Sequence, residues 1–62
     1  MNEFVFKGKN DFNFKNGNVY TLILINRLSN GMFYTIFKNE SNKLVEVIYN
    51  NINKFNENWE IK

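Results

Sequence analysis

The sequence predicts an all-β fold of about five short strands organised around a three-strand meander, and three observations predict it. Val19 to Asn26, Met32 to Lys38 and Leu44 to Tyr49 are strand-length runs of β-branched, aromatic and aliphatic residues, separated by Asn30-Gly31 and by Asn39-Glu40-Ser41-Asn42. Asp11 to Lys15 and Asn58 to Lys62 alternate apolar with polar residues, the two-residue period of a half-buried strand. Between the meander and the last strand, Ile52 and Phe55 stand three residues apart, the spacing of one 3₁₀ or α turn. At 62 residues the chain forms one domain, residues 1–62, with a small core.

Taken in order, Glu3 to Lys7 has strand composition and reads as a short edge strand ending at the turn cluster Gly8 to Asn10. In Asp11 to Lys15, alternation sends Phe12 and Phe14 to one side, which predicts that both rings reach the core. Asn16-Gly17 supplies the positive φ angles of either a two-residue hairpin or the tip of a longer loop. Val19 to Ile25 is apolar on both faces. A two-residue loop at Asn30-Gly31 turns Val19, Ile23 and Ile25 inward, whereas a three-residue loop turns Tyr20, Leu22 and Leu24 inward, because a slip of one residue exchanges the faces of a strand.

The second hairpin carries the main candidate site. A loop closed between Lys38 and Lys43 pairs Ile36 with Val45, Tyr34 with Val47 and Met32 with Tyr49, and assigns those six residues to the core. The opposite face then carries Phe33, Thr35, Phe37, Leu44, Glu46 and Ile48, with polar Thr35 and Glu46 at its centre marking it as outward. Four apolar residues around that centre exceed what a solvated face normally exposes, so these six form a candidate partner-binding surface for a second copy of the chain or for another protein. The alternative is that curvature or the terminal segments bury them. Free strand edges offer a second route, by strand addition. Closing the chain, Asn58 to Lys62 reads as a strand with Trp59 and Ile61 inward.

Composition narrows the chemistry. The chain contains neither cysteine nor histidine, which removes disulfides, thiolate and imidazole metal ligands, and the usual nucleophile–base pairs. Ser29 and Ser41 fall in turns, and Glu57 and Glu60 flank Trp59 as solubilising groups. The expectation is a non-enzymatic protein without cofactor or metal. The net charge of +2 permits contact with nucleic acid without demanding it. Lys7, Lys9 and Lys15 interleave with Phe12 and Phe14, the basic-aromatic pattern of a single-strand binder, but a single arginine and nearly as many acids as lysines favour core rings and solubilising edge lysines instead. The N-terminal segment lacks a basic region followed by a long apolar run, and no stretch reaches the length of a membrane span, so a cytoplasmic protein is expected. Asparagine dominates while alanine, proline and glutamine are absent, a codon bias pointing to an AT-rich genome.

The order strand, strand, meander, helical turn, strand is what a small SH3-like barrel requires. The segment from Phe14 to Tyr20 looks like the loop entering the second strand of such a barrel. The segment from Tyr49 to Trp59 resembles the turn-and-tryptophan ending of small SH3-like proteins encoded by bacteriophages and mobile elements of AT-rich bacteria. The resemblance spans most of the chain. It implies a protein-binding accessory that inhibits a host protein or nucleoprotein complex by steric occlusion, with a nuclease-containing defence system such as CRISPR as one target class. It carries over no proline-peptide groove, because the clustered aromatic and acidic pattern of signalling SH3 domains is not evident.

Overall fold

The longest strand in the computed structural model, which describes residues 2–62, is Val19–Arg27. The strands are Glu3–Phe6 (β1), Val19–Arg27 (β2), Phe33–Lys38 (β3), Leu44–Tyr49 (β4) and Trp59–Ile61 (β5), with the helix Ile52–Asn58 (α1) before β5. All four strand pairings are antiparallel and the sheet order is β4-β3-β2-β1-β5. The fold is therefore mostly β, as expected, but the sheet is open. After β4 the chain forms α1 and returns on the far side of β1, so β5 pairs with β1 and, among the described residues, no strand pairing joins β5 to β4. This also places β1 inside the sheet, correcting its reading as an edge strand.

Two elements differ from their sequence periods, each for a local reason. Residues 11–15 form no strand, because the Asp11 carboxylate captures the backbone. Its Oδ1 accepts hydrogen bonds from the N–H groups of Asn13 and Phe14, each at 2.8 Å, and the Asp11 N–H donates to the Phe14 carbonyl at 2.9 Å. The turn sends Phe14 into the core and leaves Phe12 outside, 92% exposed. In place of a single helical turn, α1 runs seven residues. Asn51 caps it by accepting from the Lys54 N–H at 3.0 Å, and the Trp59 N–H closes it on the Phe55 carbonyl. Phe55 is buried, while Ile52 remains exposed.

The registers decide which side chains face inward. In the β2–β3 pair, Leu22 lies opposite Phe37 and Leu24 opposite Ile36, so Ile23 is a β-bulge with no residue across from it. Before the bulge Tyr20 and Leu22 point inward and are buried. After it the parity reverses, and Ile25 shares a face with Thr35 while Leu24 turns outward with Ile36. Each of the two sequence alternatives therefore holds over half of the strand. In the β3–β4 hairpin, the loop holds five residues rather than four: the Asn39 N–H donates to the Lys43 carbonyl at 2.9 Å, and Asn42 adopts a positive φ of 62°. Lys38 consequently faces Leu44, and Phe37, Thr35 and Phe33 face Val45, Val47 and Tyr49. Relative to the expected pairing, β3 has slipped by one residue and its faces are exchanged. Val45, Val47 and Tyr49 lie inside as expected. Tyr34 and Ile36 are on the outer face, and Met32 lies in the β2–β3 turn.

Among the described residues, six of the eight buried core residues are aromatic: Phe6, Phe14, Tyr20, Phe37, Phe55 and Trp59, joined by Leu22 and Val45. Aromatic bulk substitutes for chain length. Trp59, 2% exposed, is the centre: it stacks on Phe37 with ring centroids 3.8 Å apart and meets Phe6 at 4.9 Å and Phe14 at 5.1 Å. Its Nε1–H donates to the Tyr49 hydroxyl at 2.8 Å, so a side-chain bond joins β5 to β4, the two edge strands of the open sheet. Ile61, by contrast, sits on the inner face at the end of β5 and is 75% exposed, because the core does not extend that far.

The single tryptophan gives a direct readout of this centre. Trp59→Ala is expected to destabilise by about 3–5 kcal/mol, most of the stability of a domain this small, so it should show no cooperative urea transition. Tyr49→Phe leaves the buried indole N–H without a partner and should lose about 1–3 kcal/mol while keeping the fold, read as a lower midpoint at unchanged slope in tryptophan fluorescence.

Candidate functional site

The outer face that the sequence assigns to partner binding does not exist as one surface. Phe37 and Thr35 are fully buried, and Phe33 shares their inner face, whereas Leu44, Glu46 and Ile48 project outward from β4. Thr35 is the one buried polar side chain among the described residues, and its Oγ1 donates to the Val47 carbonyl at 2.8 Å, so it serves the core rather than a partner. The residues that do accompany Leu44, Glu46 and Ile48 on the outside are Lys38, Ile36 and Tyr34, with the Tyr34 hydroxyl donating to the Glu46 carboxylate.

A second set, Lys7, Lys9, Lys15 and Phe12, is gathered on one element, the loop 7–18 between β1 and β2. Three lysines against the single Asp11 give this loop the entire net charge of the chain, since the other five cations and five acids balance. The loop is braced throughout. Asn16 donates from Nδ2 to the carbonyls of Lys7 and Gly8 at 2.9 and 3.0 Å, and from its backbone to Asn10 Oδ1 at 2.6 Å. The Lys15 N–H donates to the Tyr20 hydroxyl at 2.8 Å, and its ammonium to the Asp11 carbonyl at 3.1 Å. Gly17 takes a φ of 90° where the loop turns into β2. Gly8 packs against Asn58 Oδ1 and the Phe6 ring so closely that no β-carbon fits. Phe12 is thus an exposed ring on a loop held by hydrogen bonds.

Between this loop and β4 lies the seam left by the open sheet, a pocket of about 420 Å³. Phe6, Phe14, Val45, Val47 and Tyr49 give it an apolar floor, and Lys9, Asn10, Asp11, Asn13, Glu46 and Asn58 form a polar rim. Along one side runs the free edge of β4. Because the Asn39 N–H bonds the Lys43 carbonyl, the alternation of an antiparallel ladder makes Phe37–Val45, Thr35–Val47 and Phe33–Tyr49 the hydrogen-bonded pairs. The backbone N–H and C=O groups of Leu44, Glu46 and Ile48 therefore point away from β3, and no other described residue bonds them. This site was not legible from residue types. It depends on the odd-length loop at Asn39–Lys43 and on the turn-forming Asp11, whose Asp-x-Asn spacing was its only sequence signal.

At the floor of the seam the Tyr49 hydroxyl has its pKa raised above the ordinary value of 10.0, chiefly by burial, with the Trp59 N–H opposing and the nearby Asp11 carboxylate adding to the rise. The fold favours the neutral phenol, so this contribution is complete below pH about 10 and is lost as the pH rises through the higher folded value. The Tyr34 hydroxyl is also raised, first by its bond to Glu46. In a Tyr34→Phe background, urea midpoints should fall more steeply above pH about 10 with Tyr49 present than with Tyr49→Phe; parallel profiles would show that Tyr49 is not held neutral.

No helix among the described residues is long and apolar enough to cross a membrane. Compared with known protein families, curated proteins and solved structures, the chain matches none.

Proposed function

We propose that the protein is a non-catalytic SH3-like domain that binds another protein by accepting an extended segment of it along the free edge of β4, over the seam. The observation that carries this reading is the row of unpaired backbone groups at Leu44, Glu46 and Ile48 beside an apolar-floored pocket of about 420 Å³. Strand addition draws affinity from main-chain hydrogen bonds and specificity from alternate side chains, and the volume lies in the range of ligand clefts, about 300–1,000 Å³. Such a role requires no catalytic group, which suits a chain without histidine or cysteine. The SH3-like assignment is supported by five short antiparallel strands with the helix before the last, and by the Trp59–Tyr49 bond linking the edge strands. The inhibitory role against a host defence protein rests on the resemblance of residues 49–59 to phage and mobile-element barrels. Occupation of a target surface is the mechanism it implies.

A peptide-display library panned on the protein should enrich extended sequences whose binding protects the Leu44, Glu46 and Ile48 amides from hydrogen exchange. Ile48→Pro removes an edge donor without breaking a ladder bond and should abolish that binding while leaving a cooperative unfolding transition. Binding that protects other amides, or that survives Ile48→Pro, would place the site elsewhere.

One observation favours a second reading: Phe12 is 92% exposed on the loop that carries Lys7, Lys9 and Lys15, an arrangement suited to stacking a single-stranded base beside phosphate-binding cations. A labelled oligonucleotide should then bind at low salt, release steeply as salt rises, and bind about tenfold more weakly to Phe12→Ala. Absence of binding at low salt removes this reading.

A further inference from the structure

The β4 edge also specifies what it accepts, an inference that rests on the docking reading above. We propose that the occupant is an antiparallel segment of a different protein with the pattern apolar–x–basic–x–apolar, its basic residue opposite Glu46. In an antiparallel addition, the edge residues Leu44, Glu46 and Ile48 each face one residue of the incoming strand in a hydrogen-bonded pair, with all these side chains on the outer face. Leu44 and Ile48 are 56% and 54% exposed and gain from apolar partners, whereas Glu46 between them presents a carboxylate that favours Lys or Arg across the pair. The two intervening residues turn inward beside Val45 and Val47, over Phe14 and Tyr49, where small apolar side chains suit the pocket.

The same geometry disfavours a second copy of this chain. A two-fold pairing of β4 with itself centred on Glu46 sets two carboxylates opposite each other, and shifting it by two residues sets Glu46 against Leu44 or Ile48. Lys43, the lysine adjoining β4, is out of phase, because its backbone carbonyl is turned toward Asn39. The other sheet edge offers no cation either. The bonds from Lys7 N–H to Asn58 and from Lys62 N–H to Glu3 leave only Trp59 and Ile61 facing the free side of β5. These antiparallel pairings of β4 with the β4 or β5 edge of a second copy thus leave Glu46 without a basic partner.

Two synthetic heptapeptides sharing the sequence around a central position, one with Ile-Ala-Lys-Ala-Val and one with Ile-Ala-Glu-Ala-Val, test this by tryptophan fluorescence and amide exchange. The lysine peptide should bind about tenfold tighter than the glutamate peptide, with protection at Leu44, Glu46 and Ile48, and Glu46→Lys should reverse the preference. Equal affinity of the two peptides with those amides protected overturns the basic preference alone and leaves edge docking standing. No protection with either peptide overturns edge docking and this inference with it. Sedimentation as a dimer with the same amides protected in the free protein overturns the choice of a different protein.

Discussion

The Trp59 indole is the constraint on which the rest of the structure depends. A chain of this length has too little surface to bury for a layered aliphatic core, and it concentrates its stability in a few rings packed around one residue. Trp59 stacks on Phe37 from β3, touches Phe6 from β1 and Phe14 from the β1–β2 loop, and hydrogen-bonds Tyr49 on β4. It therefore reaches elements from both ends of an open sheet. The backbone ladder stops at β4 and β5, and a single side-chain hydrogen bond spans the two edge strands.

Holding the edges together by a side chain rather than by backbone has a consequence for binding. The seam stays open, and the N–H and C=O groups on the free side of β4 keep their hydrogen-bonding capacity. An exposed edge is ordinarily a liability that invites pairing between copies. Here Glu46 lies within the six-residue strand, so a two-fold self-pairing centred on it would oppose like charges, and in the proposed docking the same residue selects a basic partner. The neighbouring loop is held in a separate way: asparagine and aspartate side chains satisfy part of its backbone, and Phe12 stands in solvent without strand pairing to support it.

Much of this architecture was legible in the residues. The three meander runs, the inward Val45, Val47, Tyr49 and Trp59, and the helix before the last strand follow from period and composition. The candidate site was not legible, and the loss traces to two single-residue effects. One extra residue in the Asn39–Lys43 loop exchanged the faces of β3, burying Phe37 and Thr35 and dissolving the outer patch. One unpaired residue at Ile23 reversed parity along β2, so that no single register described it.

Residue type and period alone account for the three meander strands and the closing strand, the aromatic core composition, and the lack of the histidine and cysteine side chains that much nucleophilic catalysis and transition-metal binding use. Those properties are local or additive, and they survive any slip in pairing. Which face of each strand is inside, that the sheet stays open, and where backbone groups are left free emerge only once the strands pair. The faces turn on one residue more in the Asn39–Lys43 loop and one unpaired residue at Ile23, and the open sheet turns on the return of β5 to β1 rather than to β4, none of which an alternating pattern specifies.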